Sequence, residues 1–127
     1  MAIQIRGTDK KNEIPEPNID TITNKIDFHL NTGKAKNIFL STDDKKYLDL
    51  ILQKYQDLVI YDDKIHISSN GIPLHTLPKR DIINEEVLLS VYLLSKCGHF
   101  LYSFSNVSLL ALIMGVNNFK SILNINI

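Results

Sequence analysis

The 127-residue chain carries 14 basic and 14 acidic residues, so its formal charge is zero and no bulk electrostatic attraction to nucleic acid or to an anionic membrane is expected. Apolar residues make up 44% and charged residues 22%, an ordinary balance for a folded chain with one core and one that argues against disorder. A lone cysteine, Cys97, excludes an internal disulfide, and neither a signal peptide nor an apolar run of membrane-spanning length is visible. The chain is therefore expected in the cytoplasm or peripheral to a membrane, with no transmembrane segment and no nucleic-acid partner.

The first apolar run, residues 2–6 (A-I-Q-I-R), reads as a strand stopped by Gly7. A polar loop with two prolines follows. Asn18 or Asp20 can then cap a helix whose apolar positions, Ile19, Ile22, Ile26 and Leu30, share one face, with Gly33 closing it. Residues 37–41 (N-I-F-L-S) form a second strand. Thr42 or Asp43 is the expected cap of the next helix, which carries Tyr47, Leu48, Ile51, Leu52 and Tyr55 at helical spacing. The run L-V-I-Y at 58–61 reads as a buried parallel strand. Residues 62–79 are irregular, with a hairpin signal at Asn70-Gly71, and a loop of that length is commonly functional. Residues 81–97 give the strongest helix, with Ile82, Val87, Leu88, Val91, Leu94 and Leu93 expected inward. A fourth strand at 99–103, a helix capped by Ser105 or Asn106 and closed by Gly115, and a fifth strand within 119–127 complete the chain.

Strict alternation of strands and helices predicts an α/β fold, a Rossmann-like, doubly wound parallel sheet of about five strands, as a single domain over 1–127. In such a sheet every strand delivers its carboxyl end to one edge, and ligands bind there where strand order reverses. Arg6-Gly7-Thr8-Asp9-Lys10 follows the first strand, Ser41-Thr42-Asp43-Asp44 the second, and Ser103-Phe104-Ser105-Asn106 the fourth. With the order 3-2-1-4-5, the first and fourth loops face each other across the reversal. Arg6 offers a planar fork for phosphate oxygens, Gly7 permits close backbone approach, and a helix starting at Ser105-Asn106 presents free N–H groups to an anion. Simpler roles remain open beside this one: Asp43 and Ser105 as helix caps, Arg6 paired with Asp9, and Lys10-Lys11 as a solvated pair. The acidic pairs Asp43-Asp44 and Asp62-Asp63 lack a histidine or a third carboxylate at fixed spacing, so no metal site is expected. Cys97 reads as a packed small apolar residue, and of the histidines only His75, in the long loop, stands near this chemistry.

Three blocks carry a resemblance. I-Q-I-R-G-T-D-K at 3–10 resembles the H-x-R-x-T-D-K segment of the GDP-fucose-dependent fucosyltransferases of the α-1,6 type, including the nodulation fucosyltransferases. I-F-L-S-T-D-D at 38–44 resembles their strand ending in A-T-D-D. L-L-S-K-C-G-H-F-L-Y-S-F-S-N-V-S-L-L-A at 93–111 resembles their L-S-x-x-D-F-x-x-x-x-S-S-x-x-x-x-x-A segment. The blocks stand in the family's order and span most of the chain.

The resemblance implies the donor-binding half of a GT-B glycosyltransferase, an enzyme that takes a GDP-sugar as donor and transfers fucose with inversion, without metal or other cofactor. It places Arg6 on the β-phosphate, Asp43 and Asp44 near the nucleoside, and Ser105 and Asn106 on phosphate at the helix start, with Gly7, Thr8 and Asp9 part of the same donor site. Lys10 would stabilise the leaving diphosphate, and Glu13 is the nearest carboxylate to serve as base. The acceptor glycan would be held by an N-terminal domain that this chain does not contain, and the isolated chain is expected to be inactive. Gln4 stands where the family has histidine, and Ser90 where it carries an aspartate for guanine. Those departures keep a second reading in view, a non-catalytic nucleotide-binding or interaction module derived from such an enzyme. A flavodoxin-like or receiver-like domain is a third, weakened because the acidic pair follows the second strand and not the first.

Overall fold

A computed structural model describes residues 1–7, 14–62 and 80–126, with the side chains of 80–83 left out. In chain order the elements are β1 (Ala2–Ile5), α1 (Ile19–Asn31), β2 (Ile38–Thr42), α2 (Lys45–Tyr55), β3 (Val59–Ile60), α3 (Arg80–Ser95), β4 (His99–Tyr102), α4 (Asn106–Met114) and β5 (Ser121–Asn124). The five strands form one all-parallel sheet in the order β3-β2-β1-β4-β5. This is the expected α/β, Rossmann-like arrangement, and order reverses between β1 and β4.

Alternation along the strands divides the core between the two sheet faces. Ile3, Ile5, Ile38, Leu40 and Leu101 pack with Ile22 and Ile26 of α1 and with Tyr47, Ile51 and Tyr55 of α2. Ala2, Phe100, Phe39 and Tyr102 pack with Val91 and Leu94 of α3 and Ala111 of α4. Asn18 caps α1 by accepting from the amides of Asp20 and Thr21, and Gly33 leaves the helix at φ +69°, where a Cβ would be strained.

Three expectations are corrected. Strand β3 is a two-residue edge strand, and Ile60 is 54% exposed, so the apolar run at 58–61 is not a buried central strand. The inward face of α3 is Val87, Ser90, Val91, Leu94 and Ser95, whereas Leu88 is 64% exposed; the helix is apolar around most of its girth, and small serines fit the close contact with α4 and the sheet better than leucine. The cap of α2 is Asp44, not Thr42 or Asp43, because β2 runs one residue further than expected. The hairpin signal at Asn70-Gly71 and the residues Ile82, Asp63 and His75 lie outside what is described.

At the amino edge of the sheet, His29 and His99 meet with ring centroids 5.2 Å apart. His29 Nδ1 lies 2.8 Å from the Lys25 carbonyl and donates to it, and its Nε2 lies 3.5 Å from Ser121 Oγ. Ser121 Oγ is also 2.7 Å from His99 Nδ1. Burial, then the His29 ring and the cationic groups around it, Lys120 and Lys34 among them, push the His99 pKa down. The folded state thus favours neutral His99. The stability this contributes is complete above the ordinary histidine pKa of about 6.5 and drains as pH falls through that value towards the lower folded one. Urea midpoints measured from pH 8 to pH 5 should fall below pH 6.5, and His99→Gln should flatten that fall. An unchanged slope in the variant would remove His99 as its source.

Candidate functional site

Strand β1 ends at the sheet's centre, and the backbone it releases is fixed by both neighbours. The Arg6 amide donates to Ser103 Oγ, just past β4, at 2.6 Å. The Gly7 amide donates to Asp43 Oδ1, just past β2, at 2.8 Å. Arg6 Nε pairs with the other oxygen of Asp43 at 3.2 Å, with side-chain exposures of 20% and 8%. Among the described residues Arg6 therefore pairs with Asp43, and the alternative pairing with Asp9 lies outside them. A buried carboxylate that takes both the Gly7 amide and Arg6 Nε fixes the guanidinium's position at the strand exit.

Asp44, packed against Gly7, serves the next helix. Its carboxylate accepts from the Lys46 amide at 2.9 Å and caps α2, while its own amide donates to Thr42 Oγ1 at 3.2 Å. Its buried position answers to the helix start.

Across the reversal, Ser105 caps α4 in a reciprocal box. The Ser108 amide donates to Ser105 Oγ at 3.1 Å, and the Ser105 amide donates to Ser108 Oγ at 2.9 Å. The amides of Asn106 and Val107, in the first turn, have no partner within the helix, the arrangement that favours an anion. Ser105 thus has the simpler capping role, and that role prepares the helix start.

Sequence reasoning assigned no contact in this cleft to three residues that shape it, Gln4, Asn126 and Glu16. Gln4, buried on β1, accepts through Oε1 from the hydroxyls of both Ser103 and Ser105 at 3.3 Å. Asn126 accepts from the Phe104 amide at 2.8 Å and donates to the Pro15 carbonyl at 2.9 Å, tying the segment after β1 to the loop after β4. Glu16 on the rim accepts from Lys46 Nζ at 2.7 Å and from the Tyr47 hydroxyl at 3.0 Å. Burial first, then that carboxylate, push the Tyr47 pKa up, so the phenol remains a donor. Between these groups lies a cleft lined by Arg6, Gly7, Pro15, Glu16, Ser103, Phe104 and Asn126, among others.

The structure therefore brings Arg6, Gly7, Asp43 and the Ser105-Asn106 helix start to one edge of the sheet. Thr8, Asp9, Lys10 and Glu13 lie outside the described residues. Among the described residues no group of three histidine, cysteine or carboxylate side chains is close enough to hold a metal ion, and no helix is long and apolar enough to cross a membrane. Cys97 is half-buried, its pKa pushed up by burial, which keeps it a thiol.

No protein-family model matches the chain, and no curated protein matches it by sequence. Solved structures do match in fold. That of POFUT1 in complex with GDP superposes with a TM-score of 0.60 at 12% identity, over 99% of this chain and 42% of that one. That of NodZ alpha-1,6-fucosyltransferase co-crystallized with GDP gives a TM-score of 0.49 at 17% identity, over 95% of this chain and 36% of that one. The chain spans less than half the length of either. At these identities the likeness is one of fold.

Proposed function

We propose that this chain binds the GDP moiety of a nucleotide sugar in the cleft between β1 and β4, as the donor half of a GT-B glycosyltransferase that transfers fucose with inversion and without a metal ion. The observation that carries the proposal is the placement of Arg6 beside the Ser105-capped start of α4, at the reversal point of a sheet whose fold matches a GDP complex. Arg6 takes the β-phosphate, and the Asn106 and Val107 amides take a neighbouring phosphate oxygen. Asp43 holds Arg6 in place, and Asp43 and Asp44 keep their proposed position near the nucleoside. Lys10 and Glu13 keep their proposed parts, stabilising the leaving diphosphate and accepting the proton of the acceptor hydroxyl. The acceptor glycan and the half that would hold it belong to the same proposal.

A second reading, a nucleotide-binding or interaction module without turnover, draws support from the Asn126 side chain on the Phe104 amide, a donor an anion at this loop would otherwise use. Calorimetry with GDP in the presence of a chelator tests the first step of both. Weak, saturable binding without metal is expected. Binding only after a divalent cation is added, or none at millimolar GDP, would sink the proposed site. Release of GDP from GDP-fucose in the presence of a matching acceptor half then separates enzyme from module.

A further inference from the structure

A neutral side chain within β1 meets both serines of the loop after β4. Gln4 lies on β1 between Ile3 and Ile5, and alternation turns it to the face that carries α3 and α4. Its side chain is 3% exposed, and Oε1 accepts from the Ser103 and Ser105 hydroxyls. Each of those hydroxyls has a second duty. Ser103 Oγ accepts the Arg6 amide, which sets where β1 releases its arginine. Ser105 Oγ accepts the Ser108 amide, which sets where α4 begins. A hydroxyl has a single proton, and in accepting from an amide it turns that proton towards another acceptor. For Ser103 the acceptor is Gln4. For Ser105 it is Gln4 or Ser108 Oγ, also at 3.3 Å.

We infer that Gln4 is the positioning residue of the cleft: by holding both serine hydroxyls on one carbonyl oxygen, it fixes the exit of Arg6 relative to the start of α4. The inference rests on the proposed diphosphate site for its functional meaning, but the coupling itself is a property of the chain alone. An amide oxygen suits the task. It offers two lone pairs, as a pair of donors requires, and it does not titrate, so the spacing it enforces is the same at any pH at which the chain is folded. A leucine offers no acceptor. A glutamate keeps both lone pairs but places a negative charge beside the anion.

The experiment compares Gln4→Leu and Gln4→Glu with the unmodified chain, each first shown to unfold cooperatively in urea. Amide hydrogen exchange at Arg6 and Ser108 reads the positioning without any ligand. In Gln4→Leu both amides should exchange at least tenfold faster, together, while core amides such as Leu101 do not change by that factor. Gln4→Glu should keep both protected. GDP titration then reads the consequence. Affinity should fall about tenfold in Gln4→Leu, and a chain carrying Gln4→Leu with Ser103→Ala and Ser105→Ala should bind no more weakly than one carrying the two alanines alone, because all act through one linkage. Unchanged protection at Arg6 and Ser108 in Gln4→Leu overturns the inference, as do additive losses of affinity. Failure of the unmodified chain to bind GDP at all sinks the proposed site and leaves the exchange result to decide the role of Gln4.

Discussion

Arg6→Ala lowers GDP affinity by about ten- to a hundredfold, the largest functional effect expected of any single change in the described cleft. A charge-assisted hydrogen bond contributes about 1.5–3 kcal/mol, and each ~1.4 kcal/mol is a factor of ten in affinity. The surroundings of Arg6 push the loss towards the upper figure. Its Nε is paired with Asp43, whose carboxylate is buried and also takes the Gly7 amide. Removing the guanidinium takes away the cation paired with that carboxylate, so an arriving phosphate meets less attraction and more repulsion. Asp43→Asn in the Arg6→Ala background should therefore recover part of the affinity, since an amide oxygen still accepts from Gly7. Arg6→Lys keeps the charge and loses the planar fork, so it should fall between the two. Calorimetry at one ionic strength ranks the series. Equal affinity in Arg6→Ala and the unmodified chain would take Arg6 out of the site.

Gly7→Ala produces the largest change in stability among changes at this edge of the sheet, a loss of about 2–4 kcal/mol. A Cβ at position 7 would stand 2.6 Å from Asp44 Cβ, 2.7 Å from its Oδ2 and 3.0 Å from its Cγ. Asp44 cannot swing aside without cost, because it is buried and caps α2 through the Lys46 amide. Overpacking of this kind costs about 1–3 kcal/mol, and a displaced cap adds about 1 kcal/mol. The three nearest atoms all belong to Asp44, which makes the cause separable. Asp44→Gly removes Cβ, Cγ and Oδ2 together while leaving a residue tolerated at a cap, so Gly7→Ala should cost far less in that background. Urea unfolding of the four chains closes the cycle. Additive losses would show that the strain at Gly7 lies in its backbone and not against Asp44.

Strand order was legible because it follows from few signals: apolar runs of strand length, helical spacing between them, and the rule that parallel strands need crossovers. Ile22, Ile26, Tyr47, Ile51, Val91 and Leu94 stand out for the same reason, each falling on a consistent helical face. The face of α3 did not follow, because bulk apolar residues surround that helix and the choice among them is made by Ser90 and Ser95, which fit where it meets its neighbours. Position 58–61 misled because an apolar run says that a strand can be buried, while its place in the sheet decides whether it is.

At the site, residues in the loops directly after β1, β2 and β4 were visible, and Gln4 within β1 and Asn126 beyond β5 were not. Gln4 gives no local signal, since the hydroxyls it serves lie 99 and 101 residues away in sequence. Asn126 is likewise unremarkable until Pro15, 111 residues away, is seen to be its partner. A shift of one residue in the end of β2 was enough to move the cap of α2 from Asp43 to Asp44.

The two helical layers differ in what they show to water. Over α1 and α2 exposed charges form ion pairs, Lys45 with Asp49, Lys54 with Asp27 and Lys46 with Glu16. Over α3 and α4, Leu88, Leu89, Tyr92, Leu110, Ile113 and Met114 are between 46% and 72% exposed. Added salt acts on these layers in opposite senses. It screens the ion pairs of the first, and, when the salt is of the excluded kind such as sulfate, it strengthens the drive to cover the second. With no net charge near neutral pH to hold molecules apart, the ionic composition of the medium governs the colloidal behaviour of this chain more than its folding.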